Sequence, residues 1–271
     1  MVSFNTSSGF LSTLGSLSRI SYNISDLYNK FSSGKAVNTG RDSPVLLSRI
    51  GEFTASINGY GVANSNISSV NGVLNTANGG LTQMMTTLQD LRATAVQAAD
   101  GTISSGARAA LSTQAGDLMS SMDQLANGVN FNGETLLNGA YVNKSIQIGP
   151  NEGDTVNISL NDVRTSSLGI DSIDLSTQAG AGSALTAIDN AIGEVTNAMA
   201  SVGSNMNRVD NIEAANQTSL ENITAARSVI EDLDYSQGAS LMVQNQIKQK
   251  AGIMVLKKIL EVEKAKISLL V

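Results

Sequence analysis

Histidine, cysteine and tryptophan are absent from this 271-residue chain, and each absence closes a class of function. Without histidine there is no side chain that ordinarily exchanges a proton near neutral pH. Without cysteine there are no disulfides and no thiol nucleophiles, and most zinc and iron ligand sets go with it. The usual catalytic constellations are therefore missing, and the chain is read as non-enzymatic, with no cofactor and no metal. Aromatic residues are scarce, at five Phe and five Tyr. The core must then be thin and filled by Leu, Ile, Val, Met and Ala, as in narrow helix bundles. No run of about 18 apolar residues occurs, so no membrane insertion is expected. The start of the chain lacks the charged segment of a cleaved secretory signal, its first basic residue being Arg19.

Charged residues make up only 15% of the chain and are unevenly placed. Residues 1–50 hold five basic groups against two acidic ones, and residues 248–271 hold six Lys against two Glu. The net charge of −6 therefore combines two basic ends with an acidic middle. Basic ends fit an anionic partner, complementary surfaces within an assembly, or plain solvated helix faces.

What the chain does have is hydrophobic periodicity. From Ile50 through Phe53, Ile57 and Tyr60 to Ala98, apolar residues recur at alternating steps of three and four, broken only by Asn64. That is a heptad stripe, and at 1.5 Å per residue it extends about 70 Å. A second stripe runs from Leu185 through Ile188, Ile192, Val195, Met199, Val202 and Met206 to Val209. A third, shorter one joins Leu111, Ala115, Leu118, Met122 and Leu125. Three such helices can bury one another. Ile146 and Ile148, then Val156, Ile158 and Leu160, alternate with polar residues around Gly149–Gly153, which reads as a hairpin near 145–160. Ser176–Ser183, rich in Gly and Ala, reads as a linker.

The ends repeat the amphipathic theme. Phe10, Leu14, Leu17, Ile20, Ile24, Leu27 and Phe31 form one stripe, and Ile247–Leu270 reads as a largely apolar helix edged with Lys. Gly34, Gly40 and Pro44 break the first, with Asp42 or Ser43 as plausible caps of the long helix that follows. Amphipathic helices at both ends suggest that the ends pair. A lone helix of about 25 residues is marginal in water, so these segments are expected to gain order through association. The expected fold is mainly α: an elongated helical rod or coiled-coil bundle with a small β-hairpin and paired N- and C-terminal helices. Glu231, Asp232 and Asp234 lack the Gly-bearing loop of a calcium site and read as a solvated face or an intersubunit salt bridge. Seven Asn-x-Ser/Thr sequons read as accidents of composition.

Several runs resemble bacterial flagellins in order and spacing. Phe31-Ser32-Ser33-Gly34 is similar to the Leu-Ser-Ser-Gly that closes their first helix, and Leu88–Gln97 to their Leu-Gln-Arg-Val-Arg-Glu-Leu-Ala-Val-Gln. Asn130-Phe131-Asn132-Gly133 resembles the family's turn before the β region, and Ile146–Gly149 with Asn151–Val156 its hairpin. Ala225–Tyr235, then Gln246-Ile247 and Ala251-Gly252, resemble hallmarks of its C-terminal half. The matching positions of interest are Arg92, Asn132, Gly133, Arg227, Asp234 and Tyr235.

The resemblance implies a subunit of the flagellar filament, located outside the cell. It would be exported unfolded through the flagellum's own channel and assembled under a cap. Implied partners are other copies of the chain, the export apparatus and a chaperone, and the cap and hook-junction proteins, with no nucleic acid. Residues 1–40 and 236–271 would form an inner coiled-coil tube, 41–44 an elbow and 45–235 an outer helical rod, without the exposed domains that larger flagellins insert. Leu14, Leu17, Ile24, Leu27, Phe31, Ile247, Val255, Leu256 and Ile259 would be the self-assembly core. Departures exist: Glu261–Lys266 stands where the family has a Pro. Asp90, Ala93, Thr94 and Gly116 replace residues used by flagellins that the vertebrate Toll-like receptor recognises, whereas Arg92 remains. Rival readings are the hook–filament junction protein of the same superfamily and a membrane-binding helical module.

Overall fold

The computed structural model describes residues 4–268. In chain order the elements are α1 (Phe4–Ser33), α2 (Pro44–Ala99), α3 (Ser105–Gly128), β1 (Asn130–Phe131), β2 (Glu134–Thr135), β3 (Lys144–Gln147), β4 (Thr155–Ile158), α4 (Gln178–Glu231) and α5 (Tyr235–Ser268). The protein is mainly α, with two small antiparallel hairpins. It divides into two compact units, Met1–Ala55 with Asn222–Val271, and Ser56–Glu221. The divisions fall inside the uninterrupted helices α2 and α4.

The second unit holds a continuous core. On α2, Ile67, Val70, Leu74, Ala77, Leu81, Met84, Leu88, Leu91, Ala95 and Ala98 are all buried, so the heptad stripe is a real seam. On α3 the seam is Ala115, Met122 and Ala126, with Leu111, Leu118 and Leu125 half-buried beside it. On α4 the buried line is Ala181, Ala184, Ile188, Ala191, Val195, Ala198 and Val202. The expected Leu185, Ile192, Met199 and Met206 flank that line half-buried. The apolar face of α4 is thus wider than a two-stranded coiled-coil seam, as a helix needs when it packs in a bundle.

Chain ends of the helices are satisfied locally. Arg108 on α3 donates from Nε to Ala98 O at 2.8 Å and from Nη2 to Asp100 O at 2.8 Å, which caps the C-terminus of α2. Ser104 caps α3, accepting from Ala107 N–H. Most of the expected linker 176–183 is helix instead. Thr177 Oγ1 accepts from Gly180 N–H at 3.0 Å, so α4 starts at once. Gly180 is needed there, because a Cβ would lie 2.5 Å from Asp174 O. The last helix starts at Tyr235 rather than Ile247, and its expected end at Leu270 lies outside the described residues.

Asn132 (φ 53°) and Gly133 (φ 85°) form a two-residue turn between β1 and β2, with both residues left-handed as that tight hairpin demands. In the second hairpin Ile146 pairs with Val156 and Lys144 with Ile158, and Val156 and Ile158 point into the core. This hairpin is held by side-chain amides of the long helices. Asn66 Nδ2 donates to Gln147 O at 2.9 Å, and the buried Asn216 donates to Ile148 O at 2.6 Å. Asn64, the polar break in the α2 stripe, faces Asn216 at 3.4 Å. Asn216→Ala should lower the stability of this unit by about 1–2 kcal/mol, because the half-buried Ile148 carbonyl loses its donor; urea unfolding followed by circular dichroism measures it.

Candidate functional site: the paired terminal helices

The first unit is organised around a clasp between the turns that end α1 and α4. Gly34 takes φ +72°, a left-handed conformation that turns the chain out of α1. Its carbonyl accepts from Leu233 N–H at 2.9 Å, and Ala36 N–H donates to Glu231 O at 2.7 Å. Lys35 and Asp232 thereby form an antiparallel bridge. Glu231 is buried at 7% exposure, and its carboxylate receives Lys35 Nζ at 2.5 Å and Arg227 Nε at 3.2 Å. Asp232 accepts a short hydrogen bond from Ser228. Asp234 caps α5, accepting from Ser236 N–H at 2.9 Å and Gln237 N–H at 3.0 Å. Glu231 is thus buried in intrachain ion pairs, whereas Asp232 and Asp234 are exposed and accept hydrogen bonds within the chain.

Tyr235 packs its ring 5.7 Å from that of Phe31 and donates from its hydroxyl to Phe31 O at 3.4 Å. Gly238 gives Phe31 room, as a Cβ there would sit 3.0 Å from the ring. The turn after α1 carries its own anchor. Asp42 accepts from Asn38 N–H at 2.9 Å, Thr39 N–H at 2.8 Å and Thr39 Oγ1 at 3.1 Å. The backbone hydrogen bonds from Thr39 and Asn38 hold its carboxyl below the usual carboxylate range. Of the two expected caps of α2, Ser43 does the capping, accepting from Leu46 N–H at 3.3 Å.

From the clasp α1 and α5 run antiparallel. Gln249 Nε2 donates to Ser21 Oγ at 3.2 Å, and a Cβ on Gly252 would sit 3.2 Å from Leu17. The clasp brings the two end helices together, and they lie paired along one another. Their contact face is partly polar: Asn245, Gln246, Gln249 and Gly252 lie half-buried on α5 alongside Leu256 and Ile259. On α5 many apolar side chains lie exposed outside that face, with Ile247 62% and Met254 65% exposed, whereas on α1 the apolar Phe10, Leu17, Ile20, Ile24 and Phe31 are half-buried and the exposed residues are mostly Ser, Asn and Arg. Among the described residues, seventeen of the twenty exposed large apolar side chains belong to this unit.

The expected assembly residues divide accordingly. Leu27 is buried, and Leu17, Ile24, Phe31, Leu256 and Ile259 are half-buried, whereas Leu14, Ile247 and Val255 are exposed. Arg227, Asp234 and Tyr235 meet at the clasp. Arg92 lies in the other unit, pairing from Nε with Asp189 at 2.6 Å, and Asn132 and Gly133 form the turn already described. Sequence reasoning missed Lys35 as the partner of Glu231, and it missed why Gly238 and Gly252 are small. Among the described residues no cluster of metal-ligating side chains occurs, and no helix is long and apolar enough to cross a membrane. On the Leu88–Gln97 stretch, Thr94 is buried and donates to Asp90 O, while Asp90 and Ala93 face outward.

Residues 4–142 match the bacterial flagellin N-terminal helical region, and residues 185–270 the bacterial flagellin C-terminal helical region. A flagellin of Salmonella berta is 29% identical over 208 residues, covering 76% of this chain and 40% of that protein. The chain spans roughly two fifths of the length of the curated relatives it matches. The crystal structure of Bacillus cereus flagellin matches with a TM-score of 0.52 and 26% identity, over 56% of this chain and 88% of that one. A Vibrio parahaemolyticus protein provisionally described as flagellar hook-associated matches with a TM-score of 0.59, over 70% of this chain and 99% of that one. At 16% identity the latter likeness concerns the fold alone.

Two outcomes follow from the clasp. Glu231→Ala strands Lys35 and Arg227 and should cost about 1–2 kcal/mol, the partial exposure of both cations reducing the value for a buried pair. Hydrogen exchange should then speed up along α1 and α5 and stay unchanged between residues 67 and 209. The depressed Asp42 carboxyl stabilises the turn above the pH range where an unfolded Asp titrates. That contribution is lost as pH falls through the lower folded value. Asp42→Asn should flatten this acid dependence in melts followed from pH 6 to pH 2.

Proposed function

Because the chain belongs to the bacterial flagellin family, we propose that it is a structural subunit that polymerises into the flagellar filament for swimming motility. The observation that carries this reading is the row of large apolar side chains left exposed on α5, among them Val243, Ile247, Ile253, Met254, Val255 and Leu260. Each outward Leu, Ile, Val or Met is worth about 1.5–3 kcal/mol when covered, so copies of the chain gain by packing these faces together. No catalysis is needed for such a role.

In this reading residues 1–40 and 236–271 build an inner tube, 41–44 is an elbow, and 45–235 forms the outer layer. The subunit leaves the cell unfolded through the flagellar channel, without a cleaved signal, and assembles outside. Its partners are further copies, the export apparatus and a chaperone, and the cap and hook-junction proteins. A hook–filament junction protein would share the fold but occur in few copies per filament. A membrane-binding module would instead bind anionic vesicles through the Lys-edged α5, with strong salt dependence.

Electron microscopy of the purified chain under polymerising conditions tests the proposal. The full chain should form long filaments, and Ile247→Asp with Val255→Asp should abolish them while helix content is kept. Filaments from the double variant, or from residues 45–235 alone, would contradict it. The replacements at Asp90, Ala93, Thr94 and Gly116 should also leave only weak activation of a Toll-like-receptor reporter cell. Strong activation by purified protein would overturn that expectation.

A further inference from the structure

Glycine is a poor residue for a helix interior, since it leaves the unfolded chain more freedom than alanine does. In the second unit several helical glycines have a plain reason. On Gly80 a Cβ would lie 2.8 Å from both Leu137 and Val129, on Gly72 3.1 Å from Phe131, and on Gly59 2.7 Å from Pro150. Gly61, Gly79, Gly116, Gly193 and Gly203 have no such reason, because a Cβ on any of them would meet nothing within 4 Å. All five lie inside long helices in ordinary helical conformation.

A second feature acts in the same direction. Between Ser65 and Thr94, eight Ser and Thr hydroxyls donate to the carbonyl one turn back. Such bonds weaken and bend helices slightly. Ion pairs one turn apart, which support helices, are absent from this unit among the described residues. Its helices therefore depend on the buried seam and gain little from their own backbone.

We propose that the open glycines are a built-in weakness that keeps the second unit easy to unfold, so that the chain can be threaded in extended form through a narrow channel. This rests on the export reading above. Each open Gly→Ala exchange then raises the folded-to-unfolded ratio roughly fivefold. Gly79→Ala, Gly116→Ala, Gly193→Ala and Gly203→Ala together raise it on the order of several hundredfold if the sites are independent.

The test compares this fourfold variant and the adjacent control Gly80→Ala with the unaltered full chain. Urea unfolding reads stability, electron microscopy reads filament formation from purified protein, and secretion is measured from flagellated cells making the chain as their flagellin. The expected result is a more stable fourfold variant that forms normal filaments but is secreted more slowly. Gly80→Ala, one residue from Gly79, should lose stability on the order of tenfold in the same ratio. The proposal fails if the open-site alanines do not stabilise, or if they block filament formation, since the glycines would then serve close packing between copies. It also fails if secretion is unchanged despite greater stability. An unaltered chain that neither polymerises nor is secreted would overturn the filament reading itself, which the urea comparison does not touch.

Discussion

Two backbone hydrogen bonds, from Ala36 N–H to Glu231 O and from Leu233 N–H to Gly34 O, join segments almost two hundred residues apart in the chain. Gly34 turns the chain there in a left-handed conformation, and beside the bridge the Glu231 carboxylate is buried against Lys35 and Arg227. With the bridge in place, Asp234 caps α5 and Phe31 meets Tyr235, so α5 starts in register with the end of α1. Nucleating a helix is costly, whereas extending one beside a formed partner is not. The clasp thus supplies the starting point from which the two end helices can pair.

The two units solve the burial problem differently. The second encloses its own seam, in which Leu74, Met84, Leu88, Leu91, Ile188 and Val195 are fully removed from solvent. The first buries only a few large side chains, among them Leu27, Val37, Ile50 and Met242, close to the clasp and the start of α2. Many of its other large apolar side chains, Ile247, Met254 and Val255 among them, face outward. A surface of this extent is rarely left uncovered in a soluble monomer and marks an interaction site. One chain therefore carries a self-sufficient body and a sticky pair of ends, the division of labour a helical polymer needs.

Much of this was legible in the sequence. The 3–4 spacing from Ile67 to Ala98 predicted the α2 seam residue by residue, whereas Asn132-Gly133 was read only as a turn by resemblance and the hairpin it closes was not expected. Other features were not legible, for identifiable reasons. The α4 seam runs through Ala181, Ala184, Ala191 and Ala198, and alanine carries too weak a hydrophobic signal to outweigh neighbouring Leu and Met. The Gly- and Ala-rich start of α4 resembled a linker because the tight approach to Asp174 that requires Gly180 is a tertiary fact. The clasp was invisible because its bonds are between backbone groups, and its carboxylate looked like part of an exposed acidic run. Which face of α5 meets α1 was also hidden, since the inner face is the more polar one and amphipathicity alone points the wrong way.

The central claim is that the exposed apolar side chains of the terminal helices, most of them on α5, are where copies of the chain meet. A cryo-electron-microscopy map of filaments grown from the purified full chain tests it most directly. The account predicts that Ile247, Met254 and Val255 of each copy are buried against the terminal helices of neighbouring copies. A filament in which these side chains face solvent, with contacts between copies made only by residues 56–221, would contradict it.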